Sequence, residues 1–153
     1  GTATQNWDRK RPSSTRFTVL AEFNNAAVRD NETGLVWEQA PDVTERVWER
    51  ALDPLGATQY CVNTTVGGTV GWRLPSMVEL KSVMDPTLPA PFVPNNVFTG
   101  IQSSYYYWLA TTYADDSTNA WYVLFSNGNV GSVTKLNSHH VWCVRGPSQA
   151  SVY

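Results

Sequence analysis

The chain has only two cysteines, Cys61 and Cys143. So distant a pair is not a zinc knuckle, which takes four ligands at short spacings. Two arrangements remain, a disulfide or a pair of buried thiols, and the residues alone leave both open. If bonded, the pair would close a loop of about 80 residues and add roughly 4 kcal/mol on the chain-entropy estimate. A bond would also place the domain in an oxidising compartment: the periplasm, the cell surface or the secreted fraction.

A length of 153 residues suits one domain with a single buried core. With 42% hydrophobic and only 16% charged residues the chain has material for that core and too little charge to be disordered. Seven tryptophans and seven tyrosines exceed what a core of this size needs, so some should sit at the surface. The net charge of -2 excludes duplex nucleic acid as a partner, which demands a dense cationic field. Arg9, Lys10, Arg11 and Arg16 form the one basic cluster. A solvated tail or domain junction explains them more simply than contact with an anionic polymer. No apolar run approaches the ~18 residues of a membrane span, so direct membrane insertion is not expected and the sequence reads as a mature or excised domain.

Residues 1–15 are polar and read as a leader or linker, 16–146 as the domain, and 147–153 as a tail. Phe17, Val19 and Leu20 suggest a first strand. Ala27 to Asp30 and Leu35 to Trp37 flank the turn Asn31 to Gly34 and suggest a hairpin with Gly34 at positive φ. Val43 to Leu52 is expected to be a short helix with Trp48, Ala51 and Leu52 on one face, and Cys61 to follow an irregular segment. Ser76 to Met84 is the clearest helix, with Ser76 and Glu79 as a capping box and Leu80, Val83 and Met84 as its buried stripe. Phe92, Val97, Phe98 and Ile101 should anchor the proline-rich loop that follows. Strands are expected at 106–109, 120–125, 129–133 and 141–144, with Asn127-Gly128 as the strongest hairpin signal. The sum is an α+β domain: two short helices on small antiparallel sheets, with long irregular loops.

Catalytic patterns are missing wherever they can be sought. Val66 to Gly71 is glycine-rich but lacks the lysine and hydroxyl of a phosphate loop. His139 and His140 are the only histidines, and as neighbours they should point to opposite sides of the chain without completing a transition-metal site. Asp115 and Asp116 could offer oxygens to calcium or simply be solvated. No metal, cofactor or enzymatic activity is therefore expected. The C-terminal half instead offers Tyr105, Tyr106, Tyr107, Tyr113, Asn119, Asn127, Asn129, Ser132, Asn137, Ser138, His139 and His140 as ligand-binding candidates. Tyrosine supplies large contacts at low entropy cost, and serine and asparagine supply adaptable hydrogen bonds.

Several ordered pieces carry a family resemblance: Val28-x-Asp30-x-x-Thr33-Gly34-Leu35-x-Trp37, Gly71-Trp72-Arg73-Leu74-Pro75-Ser76 with Glu79-Leu80, Tyr107-Trp108 with Thr111-Thr112, Ala120-Trp121-Tyr122-Val123, and Val141-x-Cys143-Val144-Arg145-Gly146. Together they resemble the bacterial Lcl C-terminal domain family, DUF1566, across about residues 16–146. The resemblance implies a C-type-lectin-like fold akin to diversity-generating-retroelement variable proteins, and it implies that Cys61 and Cys143 pair. It assigns Trp37, Trp72, Leu74, Pro75, Trp108, Trp121 and Arg145 to the framework. The implied function is a recognition or adhesion module whose partner is a protein receptor or neutral glycan, with a homo-oligomer allowed. A sulfated ligand is disfavoured because the C-terminal half has no cluster of Arg or Lys. The competing reading is a structural or oligomerisation domain of a larger surface protein.

Overall fold

The computed structural model describes residues 13–48 and 56–146. Strands β1 (Phe17–Val19), β2 (Ala27–Asp30), β3 (Val36–Glu38), β4 (Tyr106–Thr112), β5 (Asn119–Leu124), β6 (Val130–Thr134) and β7 (Val144–Arg145) form two antiparallel sheets. The first runs β1-β2-β3-β7 and the second β4-β5-β6. Helices α1 (Ser13–Arg16), α2 (Ala57–Asn63) and α3 (Met77–Val83) are all short, α1 being a single turn. This is an α+β domain, with α2 and α3 packed on the sheets and long loops between elements.

Local chemistry explains the elements the sequence announces. The β2–β3 hairpin turns where the Gly34 N–H donates to the Asp30 carbonyl at 2.7 Å, with Gly34 at φ 79°. Helix α3 starts at the expected capping box: the Ser76 hydroxyl accepts from Glu79 N–H, and Glu79 Oε1 accepts from Ser76 N–H. The same Glu79 takes a two-pronged contact from Arg73 at 2.7 and 2.8 Å, which ties the helix start to the preceding segment. The β5–β6 turn has Gly128 at φ 77°, as Asn127-Gly128 predicts.

Two apolar clusters fill the interior. In the first, Trp142 packs against Trp37 and Phe98 at 5.1 Å each, beside Leu80 and Val83 of α3, Tyr107 and Val123 of the second sheet and Phe125 just after β5. The second gathers Trp48, Ala57, Cys61, Trp72, Trp108, Ala120 and Cys143. Three buried indoles spend their N–H groups on backbone carbonyls, while that of the fully buried Trp37 has no partner. Trp48 donates to Leu109, Trp108 to Arg46 and Trp142 to Glu38. Cys61 and Cys143 are joined in a disulfide with both residues fully buried.

Four expectations need correction. Val43 to Trp48 is not helical. Arg46 exchanges two backbone hydrogen bonds with His139, and Trp48 N–H donates to Lys135, so these groups pair across the fold instead of along a helix. Residues 49–52 of that expected helix lie outside the described residues. The second helix is α2 instead, and it carries Cys61 where an irregular segment was expected. Its start gives no sequence signal, because Gly56 caps it without a side-chain bond. The closing strand is only Val144–Arg145, and 141–143 lie outside it.

Arg16 is the fourth correction: it is a core residue and not part of a solvated basic cluster. Its side chain, 2% exposed, pairs with the fully buried Asp30 at 2.8 Å and with Glu32 at 2.8 Å, and it also donates to the Ser82 carbonyl. Arg9, Lys10 and Arg11 lie outside the described residues, as do the tail 147–153 and most of the leader. Residues 13–15, at the end of that leader, form α1 with Arg16.

Candidate recognition face

Strand alternation divides the side chains of the second sheet between two faces. The registers Tyr107 to Val123 and Trp121 to Ser132 set one face, which α3 and the first core cluster cover over Tyr107 and Val123. The registers Trp108 to Tyr122, Tyr106 to Leu124 and Tyr122 to Gly131 set the other. The second cluster covers Trp108 and Ala120 on that face, while Tyr106 and Tyr122 remain half-buried beyond it.

Tyr106 and Tyr122 stack with ring centroids 4.0 Å apart and planes 9° from parallel. His139 leans on the same group, 4.9 Å from Tyr106 and 5.1 Å from Trp108. Burial, then the adjacent Tyr106 hydroxyl, holds the Tyr122 phenol above its ordinary pKa. Burial holds the His139 imidazole below its own, so it is neutral at pH 7. Along the same stretch Lys135 Nζ lies 4.4 Å over Trp48, and the Arg46 guanidinium lies 3.9 Å over Tyr60.

Gly131 makes the stack possible. A Cβ there would come within 2.5 Å of the Tyr122 hydroxyl oxygen and 2.8 Å of its ring. Gly131→Ala should therefore displace Tyr122 at a cost of about 1–2 kcal/mol. Loss of the mutual ring-current shifts of Tyr106 and Tyr122 in proton NMR would register it, and unchanged shifts would contradict it.

The other candidates are dispersed. His140 points to the opposite side from His139, as expected, and packs against Tyr105 at 4.9 Å and Tyr107 at 5.4 Å. Tyr107 and His140 are 1% and 5% exposed, so neither offers a surface. Burial pushes the Tyr107 phenol up to about 12, and its oxygen accepts from Gln102 N–H. Tyr105 stays exposed. Tyr113 packs edge-on against Trp121, and Ser132 is paired with Trp121 on the α3-side face.

Asn119 closes its loop through backbone bonds to Tyr113 and Asp116. In that loop Asp115 is exposed, and Asp116 Oδ1 accepts from both Thr118 N–H and its hydroxyl, which lowers the Asp116 pKa. Asn127 Oδ1 accepts from Asn129 N–H, so these two serve the β5–β6 turn. Asn137 and Ser138 are exposed in the loop after β6. Of the twelve candidates, the structure thus brings Tyr106 and His139 together on one face.

The residue missed from the sequence is Tyr122, which hides among the alternating residues of a strand. Its signal is positional. Gly131 inside a strand marks a close approach, but a two-residue turn at Asn127-Gly128 would set it opposite Leu124, and only the longer turn of the structure sets it opposite Tyr122.

Among the described residues, no group of three or more His, Cys, Asp or Glu could hold a metal ion, and no helix is long and apolar enough to cross a membrane. The model of the Lcl C-terminal domain family matches residues 26–145. No curated protein matches the chain.

Proposed function

The chain belongs to the Lcl C-terminal domain family, and from that premise we propose that it is an extracytoplasmic recognition module that binds through the Tyr106–Tyr122 face. The observation that carries the reading is the pair of stacked, near-parallel rings, 4.0 Å apart and half-buried, on a framework of buried tryptophans. Rigid aromatic groups lose little entropy on binding and present large amphipathic contacts. They suit the apolar face of a neutral sugar ring or a side chain of a protein receptor. The buried disulfide supports placement in the periplasm, at the cell surface or in the secreted fraction.

Two finer readings follow from the family. The joining of β7 to β3, which closes the two ends of the domain into one sheet, supports a C-type-lectin-like fold. A retroelement-diversified surface would fit the exposed loop positions but not Tyr107 or His140, which the core would not let vary.

The test is a binding screen on neutral and sulfated glycans and on candidate receptor proteins, repeated with Tyr106→Ala/Tyr122→Ala. Loss of binding by about tenfold or more is expected, as for aromatic anchors at hot spots. Undiminished binding by the double variant, or selective capture of sulfated glycans, would overturn the reading. Concentration-dependent self-association with no ligand captured would favour the oligomerisation alternative.

A further inference from the structure

On the α3 side of the second sheet, Lys81, Met84, Pro86, Phe92, Asn127 and Gly128 line a cavity of about 280 Å³. None of the stacked tyrosine face contributes to it. At this volume, just under the range of about 300–1,000 Å³ for drug-sized ligands, it suits a molecule built on one ring.

Its walls and its rim differ in chemistry. Met84 is buried and Phe92 half-buried, and both pack with the first core cluster. Phe92 stands at φ 68°, an uncommon backbone for an aromatic residue. Two backbone bonds keep it there: Asp85 N–H donates to the Phe92 carbonyl at 2.6 Å, and Phe92 N–H donates to the Pro89 carbonyl at 2.8 Å.

The polar groups at the rim are left with donors to offer. Lys81 Nζ donates to the Gly128 carbonyl at 2.7 Å, which uses one of its three hydrogens. Asn127 Oδ1 is occupied by Asn129 N–H, which leaves its NH₂ group. Gly128 permits the close approach: a Cβ there would lie 3.2 Å from Lys81 Nζ, on a backbone at φ 77°. Asp85, next after Met84, turns its carboxylate oxygen Oδ1 to Thr87 N–H and hydroxyl.

Apolar walls under a rim of one ammonium and one amide call for a ligand with an apolar body and an anionic acceptor. We propose that this cavity is a second binding site, for a small free carboxylic acid carried on an aromatic ring. The carboxylate would meet Lys81 and Asn127, and the ring would lie against Met84, Pro86 and Phe92.

The probe is 3-phenylpropionate, titrated into the disulfide-bonded domain and followed by NMR beside the neutral 3-phenylpropionamide. Saturable shifts are expected at the amides of Asn127 and Gly128 and the methyl of Met84, with the acid binding about tenfold more tightly than the amide. Lys81 is exposed, so Lys81→Met keeps the fold; it should erase the preference for the acid and leave the weak binding of the ring. Absence of saturable shifts at those residues, or equal binding of acid and amide by the native domain, would overturn the site. A preference for the acid that survives in Lys81→Met would overturn the role given to Lys81.

Discussion

Removal of the disulfide by Cys61→Ala/Cys143→Ala should cost the domain roughly 4 kcal/mol. The bonded residues are 82 apart in sequence, and closing a loop of that size withdraws much conformational freedom from the unfolded chain. No other covalent tie opposes the loss, because among the described residues there is no further cysteine. The native state loses too. Both half-cystines are fully buried in the cluster of Trp48, Ala57, Trp72 and Trp108, where they hold α2 beside the end of the chain at Cys143. Helix α2 has seven residues and no side-chain cap, so it has little stability of its own. Urea unfolding of the double variant beside the oxidised parent measures the difference. A loss below about 1 kcal/mol would mean that packing alone seats α2.

The bond shows where the sequence was readable. Elements with a local cause were legible: the capping box at Ser76 and Glu79 and the glycine turns at Gly34 and Gly128 all rest on near neighbours in the chain. Elements whose cause lies across the fold were not. Val43 to Leu52 reads as a helix through the spacing of Trp48, Ala51 and Leu52, yet the backbone groups of Arg46 and Trp48 pair with His139 and Lys135, and the Trp48 indole N–H goes to Leu109. Leu109 is free to accept because β4 leaves its register with β5 between Trp108 and Thr112, an irregularity no local motif announces.

The same distinction governs the candidate site. Residue type picked out tyrosine, asparagine and histidine as a surface vocabulary, but type does not report side. Tyr106 and Tyr107 are neighbours in sequence, and the first lies half-exposed on the stack while the second is sealed beneath α3. Arg16 is the inverse case. It sits in sequence beside other cations and belongs in space to Asp30, because a buried carboxylate needs a partner more than a tail needs charge.

Glu38 contributes an uncommon pH dependence, one that favours the fold at mildly acidic over alkaline pH. Its side chain is 3% exposed beside the disulfide, where Oε1 accepts from Cys143 N–H at 2.7 Å. Burial pushes its pKa from 4.5 up to about 7; Asp42 adds to the rise, while the Cys143 N–H and Arg46 oppose it. Between those values the folded chain holds a proton that the unfolded chain has released. The stabilisation is therefore complete below about pH 4.5 and is lost as pH rises toward and through about 7. The full effect is about 3 kcal/mol. His139 and His140 work in the other direction, since burial lowers both of their pKa values and acidification below the ordinary histidine range costs stability. Glu38→Gln separates the contributions. Glutamine copies the shape of the protonated acid and can still accept from Cys143 N–H, and both histidines are present in each protein. The stability of the variant relative to the parent should climb by about 3 kcal/mol from about pH 4 to about pH 8. A difference that stays flat across that range, measured by urea unfolding at each pH, would show that Glu38 titrates in the folded domain as it does in the unfolded chain, the Cys143 N–H and Arg46 offsetting its burial.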